Sequence, residues 1–374
     1  RSVSWPAPAC HVFVTAQSRR RGRIGTSGGS SSFTLRYQEA VMERKWFNLG
    51  STVMLGILLA GCRPVVATQG AAVAARSTPT AAAAPTTAGG TAAGAVGEQT
   101  GGEVIATIPV GNHAGARVAI DNGTVWVANT EDGTVSRIDA GTNQVTDTLT
   151  IGAKGGKYGS PWATAMGAGS LWVTDNAAPA IVRLDPATGE VLATIPLEVE
   201  PFSLNANEEG VWVSALDADK VIRIDPKTNA VVATIAVPSA ANFAFTDGAV
   251  WVTNLRLGKV TRIDPQTNTV VVTIDTPGPG QENERPEFDA VGAEGVYVLD
   301  KRAKAIHLID PATNEVIQTK PTDAFTIVPA VGEEGVWTVD CDTGTPLLLD
   351  AKTLERIKEL APVPDACGIT LDEG

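Results

Sequence analysis

From residue 102 onward, apolar and polar side chains alternate in short runs that are separated by turn-forming residues. The segment after residue 200 shows the pattern well, with four such runs at 202–206, 211–215, 220–224 and 230–237. A period of two is typical of β-strands with one buried face, and runs of this length match strands better than helices. The pattern therefore predicts units of four short antiparallel strands.

The units repeat along the chain with a fixed internal spacing. Each unit has an aromatic residue in its second strand, at Trp126, Trp172, Trp212, Trp251, Tyr297 and Trp337. Each has an aspartate thirteen positions later, at Asp139, Asp185, Asp225, Asp264, Asp310 and Asp350. Successive aromatics are 46, 40, 39, 46 and 40 residues apart. Four strands at this period indicate the blades of an all-β propeller, which stack in a ring because a lone blade cannot bury both faces.

The ends of the repeat region predict how the ring closes. Residues 103–110 match the fourth strand of a blade but precede the first full repeat, whereas residues 368–374 match a first strand. Six full blades and these two strands predict a seven-bladed ring whose last blade is incomplete, in a chain that continues beyond Gly374. A six-bladed ring with two surplus strands is the alternative.

The repeated residues have structural roles. The aromatic of the second strand is expected to pack between blades. The segment Asp185-Pro186-Ala187-Thr188-Gly189 is turn chemistry, because the aspartate accepts backbone hydrogen bonds, the proline fixes φ and the glycine adopts a left-handed conformation. We interpret the six aspartates as six turns and not as catalytic groups.

These repeats resemble the YVTN-type β-propeller family and, more loosely, the streptogramin (virginiamycin B) lyase family, over residues 102–374. The resemblance implies the fold and little about function, because the shared residues are the structural ones. The lyase family uses a histidine base and a metal-bound electrophile, and only His113 and His307 lie in this region, so no catalytic residue is carried over. A quinone-cofactor dehydrogenase is a second alternative, because its repeats resemble the segment that begins at Asp185, although their later tryptophan is missing.

An export signal precedes the repeats. A charged start at 42–45 is followed by a mostly apolar stretch at 46–59, which is too short to span a bilayer as a mature helix. The sequence Leu59-Ala60-Gly61-Cys62 resembles a bacterial lipobox, and this resemblance implies cleavage before Cys62 and its acylation. The sequence therefore predicts a signal peptide at 42–61 and an extracytoplasmic protein with a lipid anchor, on the cell surface or in the periplasm.

The segments around this signal differ in composition. Residues 62–101 are rich in Ala, Thr, Gly and Pro, which is typical of a flexible tether. Residues 1–41 lack an initiating methionine and contain an arginine cluster. We expect 1–41 to be an over-extended reading frame without structure, and 102–374 to be the propeller domain.

The net charge of −12 is unevenly distributed. Residues 1–61 carry +6, from eight basic and two acidic residues, and residues 62–374 carry −18, from 21 and 39. An acidic domain argues against nucleic acid as a partner, because phosphates need a basic surface. Histidine is scarce and CxxC motifs are absent from the sequence, so we predict no metal site and no cofactor. We expect a monomer that meets the membrane through its lipid.

Positions that break the repeat are candidates for function. The two longest periods place insertions at 152–161 and 277–286, on the face of the ring around the central channel. The first has lysines among glycines but lacks the spacing of a phosphate-binding loop, so a mobile loop is expected. The second is rich in carboxylates, and we expect a solvated acidic loop. The candidate ligand-binding residues of this face are Tyr158, Trp162, Phe202, Phe243, Glu284, Phe288 and Phe325.

The aromatic candidates have two interpretations. A ring of them at the entrances to the inner strands is suited to stacking a sugar, a cyclic peptide or another planar ligand. Packing against the neighbouring blade is the alternative. We therefore expect a propeller that binds a protein, a glycan or a small molecule without catalysis, with a lyase of the streptogramin type as the alternative.

Cys341 and Cys367 are predicted to form a disulfide. Cys341 follows the second strand of the sixth repeat, and Cys367 opens the next inner strand. Both positions point to the same face of adjacent blades, in a compartment that the export signal makes oxidising. Two unpaired core cysteines are the alternative.

Overall fold

The computed structural model describes residues 9–16, 55–60, 103–112, 114–277, 286–292, 294–300, 304–322, 329–364 and 366–372. The structure is all-β, as the sequence predicts, and consists of four-stranded antiparallel sheets. In these ranges the helical element is one 3-10 turn, Leu216–Ala218. No helix of the described chain is long and apolar enough to cross a membrane.

The strands are numbered in chain order. Those before the first blade are β1 (Ala9–Ala16), β2 (Leu55–Ala60) and β3 (Glu103–Asn112). Blade one contains β4 (Ala114–Asp121), β5 (Thr124–Asn129), β6 (Thr134–Asp139) and β7 (Gln144–Thr150). Blade two contains β8 (Thr164–Gly167), β9 (Ser170–Asp175), β10 (Ala180–Leu184) and β11 (Val191–Pro196). Blade three contains β12 (Ser203–Asn207), β13 (Gly210–Ala215), β14 (Lys220–Asp225) and β15 (Ala230–Ala236).

The remaining strands follow the same order. Blade four contains β16 (Ala240–Thr246), β17 (Ala249–Asn254), β18 (Lys259–Asp264) and β19 (Thr269–Asp275). Blade five contains β20 (Pro286–Gly292), β21 (Gly295–Asp300), β22 (Ala305–Asp310) and β23 (Glu315–Pro321). Blade six contains β24 (Ala330–Gly332), β25 (Gly335–Asp340), β26 (Thr345–Leu349) and β27 (Arg356–Glu359), and the last strand is β28 (Ala366–Asp372).

Each of the six blades is formed by four consecutive strands, which pair in sequence order. The four strands that the alternation predicts for the third repeat agree with blade three to within one residue at each end. Six is the blade count of the alternative that the sequence leaves open. The repeat length therefore corresponds to one blade, as predicted.

Burial decreases from the inner strands of a blade to its outer strand. The second strands of blades two to five are buried at every position, because neighbouring blades cover both of their faces. The outer strand of blade three, by contrast, is mostly exposed. The repeated aromatics Trp126, Trp172, Trp212, Trp251 and Tyr297 are among the largest fully buried side chains. The prediction that they pack in the core is confirmed.

A half-buried arginine accompanies the buried tryptophan in each of blades one to four. In blade three, Arg223 is the cross-strand partner of Trp212, and its guanidinium lies 5.0 Å from the centroid of the indole ring. Its Nη1 donates to the backbone oxygen of Pro265 and, at 2.9 Å, to Oδ1 of Asn268, both in the turn of blade four. The other arginines on tryptophan rings are Arg137, Arg183 and Arg262. These contacts fasten each blade to the next.

Blade five replaces this contact with a different one. Tyr297 pairs across the sheet with Leu308 in place of an arginine. The hydroxyl of Tyr297 donates at 2.8 Å to the backbone oxygen of Ala351, which occupies the turn position that Pro265 has two blades earlier. Burial raises the pKa of Tyr297 to about 12, because the phenolate is poorly solvated there. The phenol therefore takes over the inter-blade role of the guanidinium.

The repeated aspartates form the predicted turns. Oδ1 of Asp185 accepts hydrogen bonds from the backbone nitrogens of Ala187 at 2.7 Å and Thr188 at 2.9 Å. These bonds hold the pKa of the Asp185 carboxyl below its usual value. Equivalent bonds reach Asp139, Asp225, Asp264, Asp310 and Asp350.

The outer strand of every blade carries a β-bulge at the same place. The register shifts by one residue next to the cross-strand partner of the repeated arginine or leucine. The extra residues are Thr146, Leu192, Val232, Val271, Ile317 and Ile357. A bulge interrupts the regular edge on which a second sheet would pair, so it protects the rim of the ring against edge-to-edge association.

A further four-stranded sheet joins the two ends of the repeat region, in the order β28-β2-β1-β3. β3 and β28 are the outer and inner strands that the sequence assigns to the closing blade. The sequence predicts only these two strands, whereas β1 and β2 fill the two central positions, where they pair with the open edges of β3 and β28. Residues 9–16 are therefore placed in a strand, contrary to the expectation that 1–41 lack structure. β2 lies within the predicted signal peptide at 42–61, and cleavage before Cys62 would remove β1 and β2 from the mature chain. The signal peptide stays a prediction.

Candidate functional site

The insertion at 152–161 connects the outer strand of blade one to the inner strand of blade two. Strand direction alternates within a blade, so this connection lies on the same face as the loops between second and third strands. Those loops include the 3-10 turn of blade three, Leu216–Ala218, and the loop of blade four that contains Arg256. Residues from three blades can therefore meet on this face.

Hydrogen bonds hold the insertion against the neighbouring loops. The backbone nitrogen of Ser160 donates to the oxygen of Thr130 at 3.1 Å, and its hydroxyl donates at 2.9 Å to Oδ1 of the buried Asp175. At the other end of the loop, the nitrogen of Ile151 donates to the oxygen of Gly133 at 2.9 Å. The structure thus shows a packed loop, which corrects the expectation of a mobile one.

Two glycines allow this close packing. Gly156 has φ +82°, and a Cβ there would lie 2.8 Å from the backbone of Asn176. Gly159 has φ +85°, and a Cβ there would overlap the methyl group of Thr130. Both the backbone angle and the lack of space exclude a larger residue. The glycines therefore serve the packing of the loop and do not form a phosphate cradle.

The carboxylate of Asp217 is the centre of a charged network on this face. The Nζ of Lys157 and the hydroxyl of Tyr158 each donate to Oδ2 of Asp217 at 2.5 Å. The Nη2 of Arg256 donates to Oδ1 at 2.7 Å. Lys157 and Tyr158 belong to the insertion, Asp217 to blade three and Arg256 to blade four. One carboxylate therefore joins three parts of the ring.

The contacts in this network shift the pKa values of Asp217, Lys157 and Tyr158. The hydrogen bonds from Lys157, followed by those from Tyr158 and Arg256, hold the pKa of Asp217 well below its usual range. The pKa of Lys157 is raised, mainly by its bond to Asp217. Burial, together with the same carboxylate, raises the pKa of Tyr158. At neutral pH the site therefore holds one carboxylate between two cations, together with a neutral phenol.

Three aromatic rings form a patch beside the network. The centroids of Tyr158 and Phe202 are 4.9 Å apart, with the rings nearly perpendicular at 75°. Trp162 lies 6.3 Å from each of them. All three are half-buried, and Tyr158 and Phe202 pack against a small apolar cluster formed by Leu216, Ala241 and Leu255. Trp162 packs instead against the core between blades two and three. The structure brings together three of the candidate residues that the sequence singles out.

The second lysine of the insertion is also paired. The Nζ of Lys154 lies 3.5 Å from Oδ1 of Asp132, in the loop between β5 and β6. The backbone nitrogen of Lys157 donates at 2.6 Å to Oε1 of Glu200, which comes from the connection that leads into blade three. Each cation of the insertion thus contacts a carboxylate. This pairing is a second reason why the loop does not resemble a phosphate site.

The other candidate residues do not join this patch. Phe243 is only 1% exposed and packs between blades against Trp212 and Val250, so its assignment to the ligand site is corrected to the core. It points between the blades because it lies in the interior of β16. Glu284 and Phe325 lie outside the described residues, and so does the side chain of Phe288, whose backbone is in β20.

Sequence reasoning missed Asp217, Arg256 and Glu200. All three occupy connections that are short and not lengthened by an insertion, so the length of the repeat gives no signal for them. Sequence reasoning also missed the arginines that stack on the tryptophan rings, although their fixed spacing from the tryptophans is visible in the sequence. In blades one to four an arginine stands eleven positions after the tryptophan, and in blades five and six a leucine takes its place.

A second group of polar side chains is buried in blade five. Nδ1 of His307 lies 2.9 Å from Oγ1 of Thr319, and Nε2 lies 3.9 Å from Oδ2 of Asp300. His307 is in the third strand, as predicted, and both it and Asp300 are buried. His113 lies outside the described residues. In the part of the chain that the structure describes, no group of three His, Cys, Asp or Glu side chains is placed to hold a metal ion.

Cys341 takes part in a disulfide. It follows β25 in blade six, at the loop position that the sequence predicts. The side chain of Cys367, in β28, lies outside the described residues, as does Cys62. The pairing of Cys341 with Cys367 and the acylation of Cys62 therefore stay predictions.

Fold and site define the class of this protein as a β-propeller with a polar and aromatic patch on its insertion-bearing face. No family model matches the sequence, and no curated protein matches it significantly. Among solved structures, the chain is similar to a streptogramin B lyase, with a TM-score of 0.58 and 16% identity over 69% of this chain and 86% of that one. It is also similar to the dihydro-heme d1 dehydrogenase NirN in complex with DHE. There the TM-score is 0.50 and the identity 19%, over 67% of this chain and 57% of that one.

These similarities concern the fold of the chain. At 16% and 19% identity they show the propeller fold alone. They agree with the looser of the two family resemblances that the repeats suggest. They assign no residue of this chain to catalysis or to cofactor binding.

Proposed function

We propose that this protein is a lipid-anchored, extracytoplasmic β-propeller that binds a ligand on its insertion-bearing face and does not transform it. The observation that carries the proposal is the convergence of Tyr158, Trp162 and Phe202 beside the network of Asp217. Apolar rings with a few placed polar groups are typical of ligand sites. The framework contacts recur from blade to blade, whereas this patch occurs once in the described chain.

The anchor is tested apart from the binding. In cells that express the full chain, Cys62→Ser is expected to leave the protein in the aqueous phase of a detergent partition, whereas the unaltered protein enters the detergent phase. Thr68→Ser is the matched control, since it makes an equally small change in the tether that remains after cleavage, outside the lipobox. Equal partition of Cys62→Ser and unaltered protein would contradict the anchor.

The binding site is tested by substitution of its tryptophan. Trp162→Ala is expected to abolish the thermal stabilisation that a bound ligand gives, because only the folded state binds it. Leu257→Ala is the control, since Leu257 is 43% exposed and follows Arg256 without belonging to the patch. If a ligand identified in a thermal-shift screen stabilises Trp162→Ala as strongly as the unaltered protein, this face is not the site.

A lyase of the streptogramin type is the second candidate function, and similarity to the fold of a streptogramin B lyase supports it. Incubation of the purified propeller with a streptogramin B, followed by mass spectrometry of the antibiotic, tests it. Loss of the intact ring would favour the enzyme. An unchanged antibiotic would favour a binding protein.

A further inference from the structure

We propose that the ligand of the aromatic patch is a carbohydrate without net charge. This inference rests on the proposed function, because it names the ligand class of the same site. Three properties of the site lead to it: the pairing of its charges, the distance between its donors and acceptors, and the neighbouring rings.

The pairing of the charges disfavours an ionic ligand. Lys154 contacts Asp132, and both Lys157 and Arg256 contact Asp217, while Glu200 accepts from the backbone of Lys157. The carboxylates of Asp132 and Asp217 thus contact three cations, and Glu200 adds a third carboxylate beside the backbone of Lys157. An anion that approaches Lys157 or Arg256 is repelled by Asp217, and a cation that approaches Asp217 is repelled by Lys157 and Arg256, so either ion is attracted less than it would be by an unpaired group. A neutral ligand can bind beside these pairs without breaking them.

The spacing of the network favours hydroxyl groups. Donors of Lys157 and Arg256 lie 2.5 and 2.7 Å from the carboxylate of Asp217, and the side chains of all three residues are about half exposed, at 56%, 42% and 41%. A hydroxyl donates one hydrogen bond and accepts two, so a single oxygen can bridge a cation and its carboxylate. A peptide divides the two functions between its N–H and C=O groups. Neighbouring sugar hydroxyls therefore fit this surface better than an extended peptide.

The rings supply the apolar part of the contact. Tyr158, Trp162 and Phe202 lie within 6.3 Å of one another, and all are partly exposed. An aromatic face is electronegative and attracts the weakly positive C–H groups that line one side of a sugar ring. A sugar thus presents C–H groups to the patch and hydroxyls to the network at the same time.

The test uses defined probes. The purified propeller is titrated by isothermal calorimetry with cellohexaose, maltohexaose, mannohexaose and chitohexaose, and with hexagalacturonate as the anionic counterpart. We expect binding to at least one neutral oligosaccharide and weaker or no binding to hexagalacturonate. Trp162→Ala is expected to weaken the neutral interaction by at least about tenfold. Leu257→Ala is expected to leave it unchanged.

A second variant distinguishes loss of the site from loss of the fold, because it is expected to change the affinities for two ligands in opposite directions. Asp217→Asn keeps the size of the side chain but removes the charge that holds Lys157 and Arg256. We expect it to weaken the neutral oligosaccharide and to strengthen hexagalacturonate, because two cations are then unpaired. A circular dichroism spectrum unchanged from that of the unaltered protein shows that each variant is folded.

The outcomes separate this inference from the proposed function. A library of neutral, end-blocked hexapeptides is titrated in parallel. If no neutral oligosaccharide binds, but a peptide binds and Trp162→Ala weakens it, the proposal of a carbohydrate ligand is refuted. The proposal that this face binds a ligand is then kept. Preference for hexagalacturonate by the unaltered protein also overturns the inference. If the oligosaccharides and the peptides all bind independently of Trp162, or do not bind at all, both proposals fail.

Discussion

Two contacts between blades combine an aromatic ring with charged groups, and they differ in burial and in number. The contact of Trp212 with Arg223 joins a fully buried indole to a half-buried guanidinium, and it recurs in blades one to four. The network of Tyr158 and Asp217 is half exposed and occurs once in the described chain. The repeated contact can stabilise the ring without depending on any ligand. The single exposed contact can vary without loss of the ring, which is what a binding site requires.

The largest expected effect separates the two kinds of tryptophan. Trp212→Ala is expected to lower the free energy of unfolding by about 3–5 kcal/mol, because it removes a fully buried ring between two blades. Trp162→Ala is expected to lower it by about 1–2 kcal/mol, because its ring is partly solvated in the folded protein. Urea denaturation measures both. Equal losses would mean that Trp162 belongs to the framework.

The next effect concerns the arginine of the repeated contact. Arg223→Met keeps an apolar stem on Trp212 but leaves the oxygens of Pro265 and Asn268 without their donor. Unpaired acceptors at this partly buried interface predict a loss of about 1–3 kcal/mol. Arg356→Met is the control, since Arg356 is half exposed and pairs with Glu359 on the surface. A surface pair of this kind is worth about 0–1 kcal/mol, so comparable losses in the two variants would refute the inter-blade role.

A smaller effect is expected where blade five replaces the arginine. Tyr297→Phe removes the single hydrogen bond to Ala351 and keeps the buried ring. The expected loss is about 0.5–1.5 kcal/mol, the value of one hydrogen bond of this type. Hydrogen exchange of the amides in β25 and β26 measures the same interface locally. If Tyr297→Phe costs as much as Arg223→Met, the two contacts are not the alternatives that their shared turn position suggests.

The sequence predicts the framework because the framework repeats. The aromatic at a fixed offset from the aspartate predicts the core ring and the turns, and both are confirmed at Trp212 and Asp185. The same periodicity contains the arginine at Arg223, eleven positions after the tryptophan. Its meaning is not visible in the sequence, because the acceptors lie in the next blade.

The site is predicted only in part, for the opposite reason. Tyr158 and Trp162 are found because an insertion breaks the repeat. Asp217 is not found, because its contacts come from residues 59 and 39 positions away, in Tyr158 and Arg256. Phe243 is misassigned because a sequence cannot tell which side of an inner strand faces the neighbouring blade.

The smallest expected effect tests whether the exposed network stabilises the ring at all. Because the pKa of Asp217 is lowered in the folded protein, its contribution is present above the pKa of an unfolded aspartate, near 3.9, and is lost as the pH falls through the folded value. Asp217→Asn is therefore expected to reduce stability by less than about 1 kcal/mol at neutral pH, since the side chain is 41% exposed and solvent screens the pair. The difference between variant and unaltered protein should shrink toward about pH 2, and also in molar salt. Urea denaturation across this pH range measures this difference in the free energy of unfolding. The contributions of the other acidic groups cancel in the difference, because both proteins contain them. A difference that is independent of pH and salt would show that the loop is held by its packing on Thr130 and Asp175 alone, and that the charged network serves only the ligand.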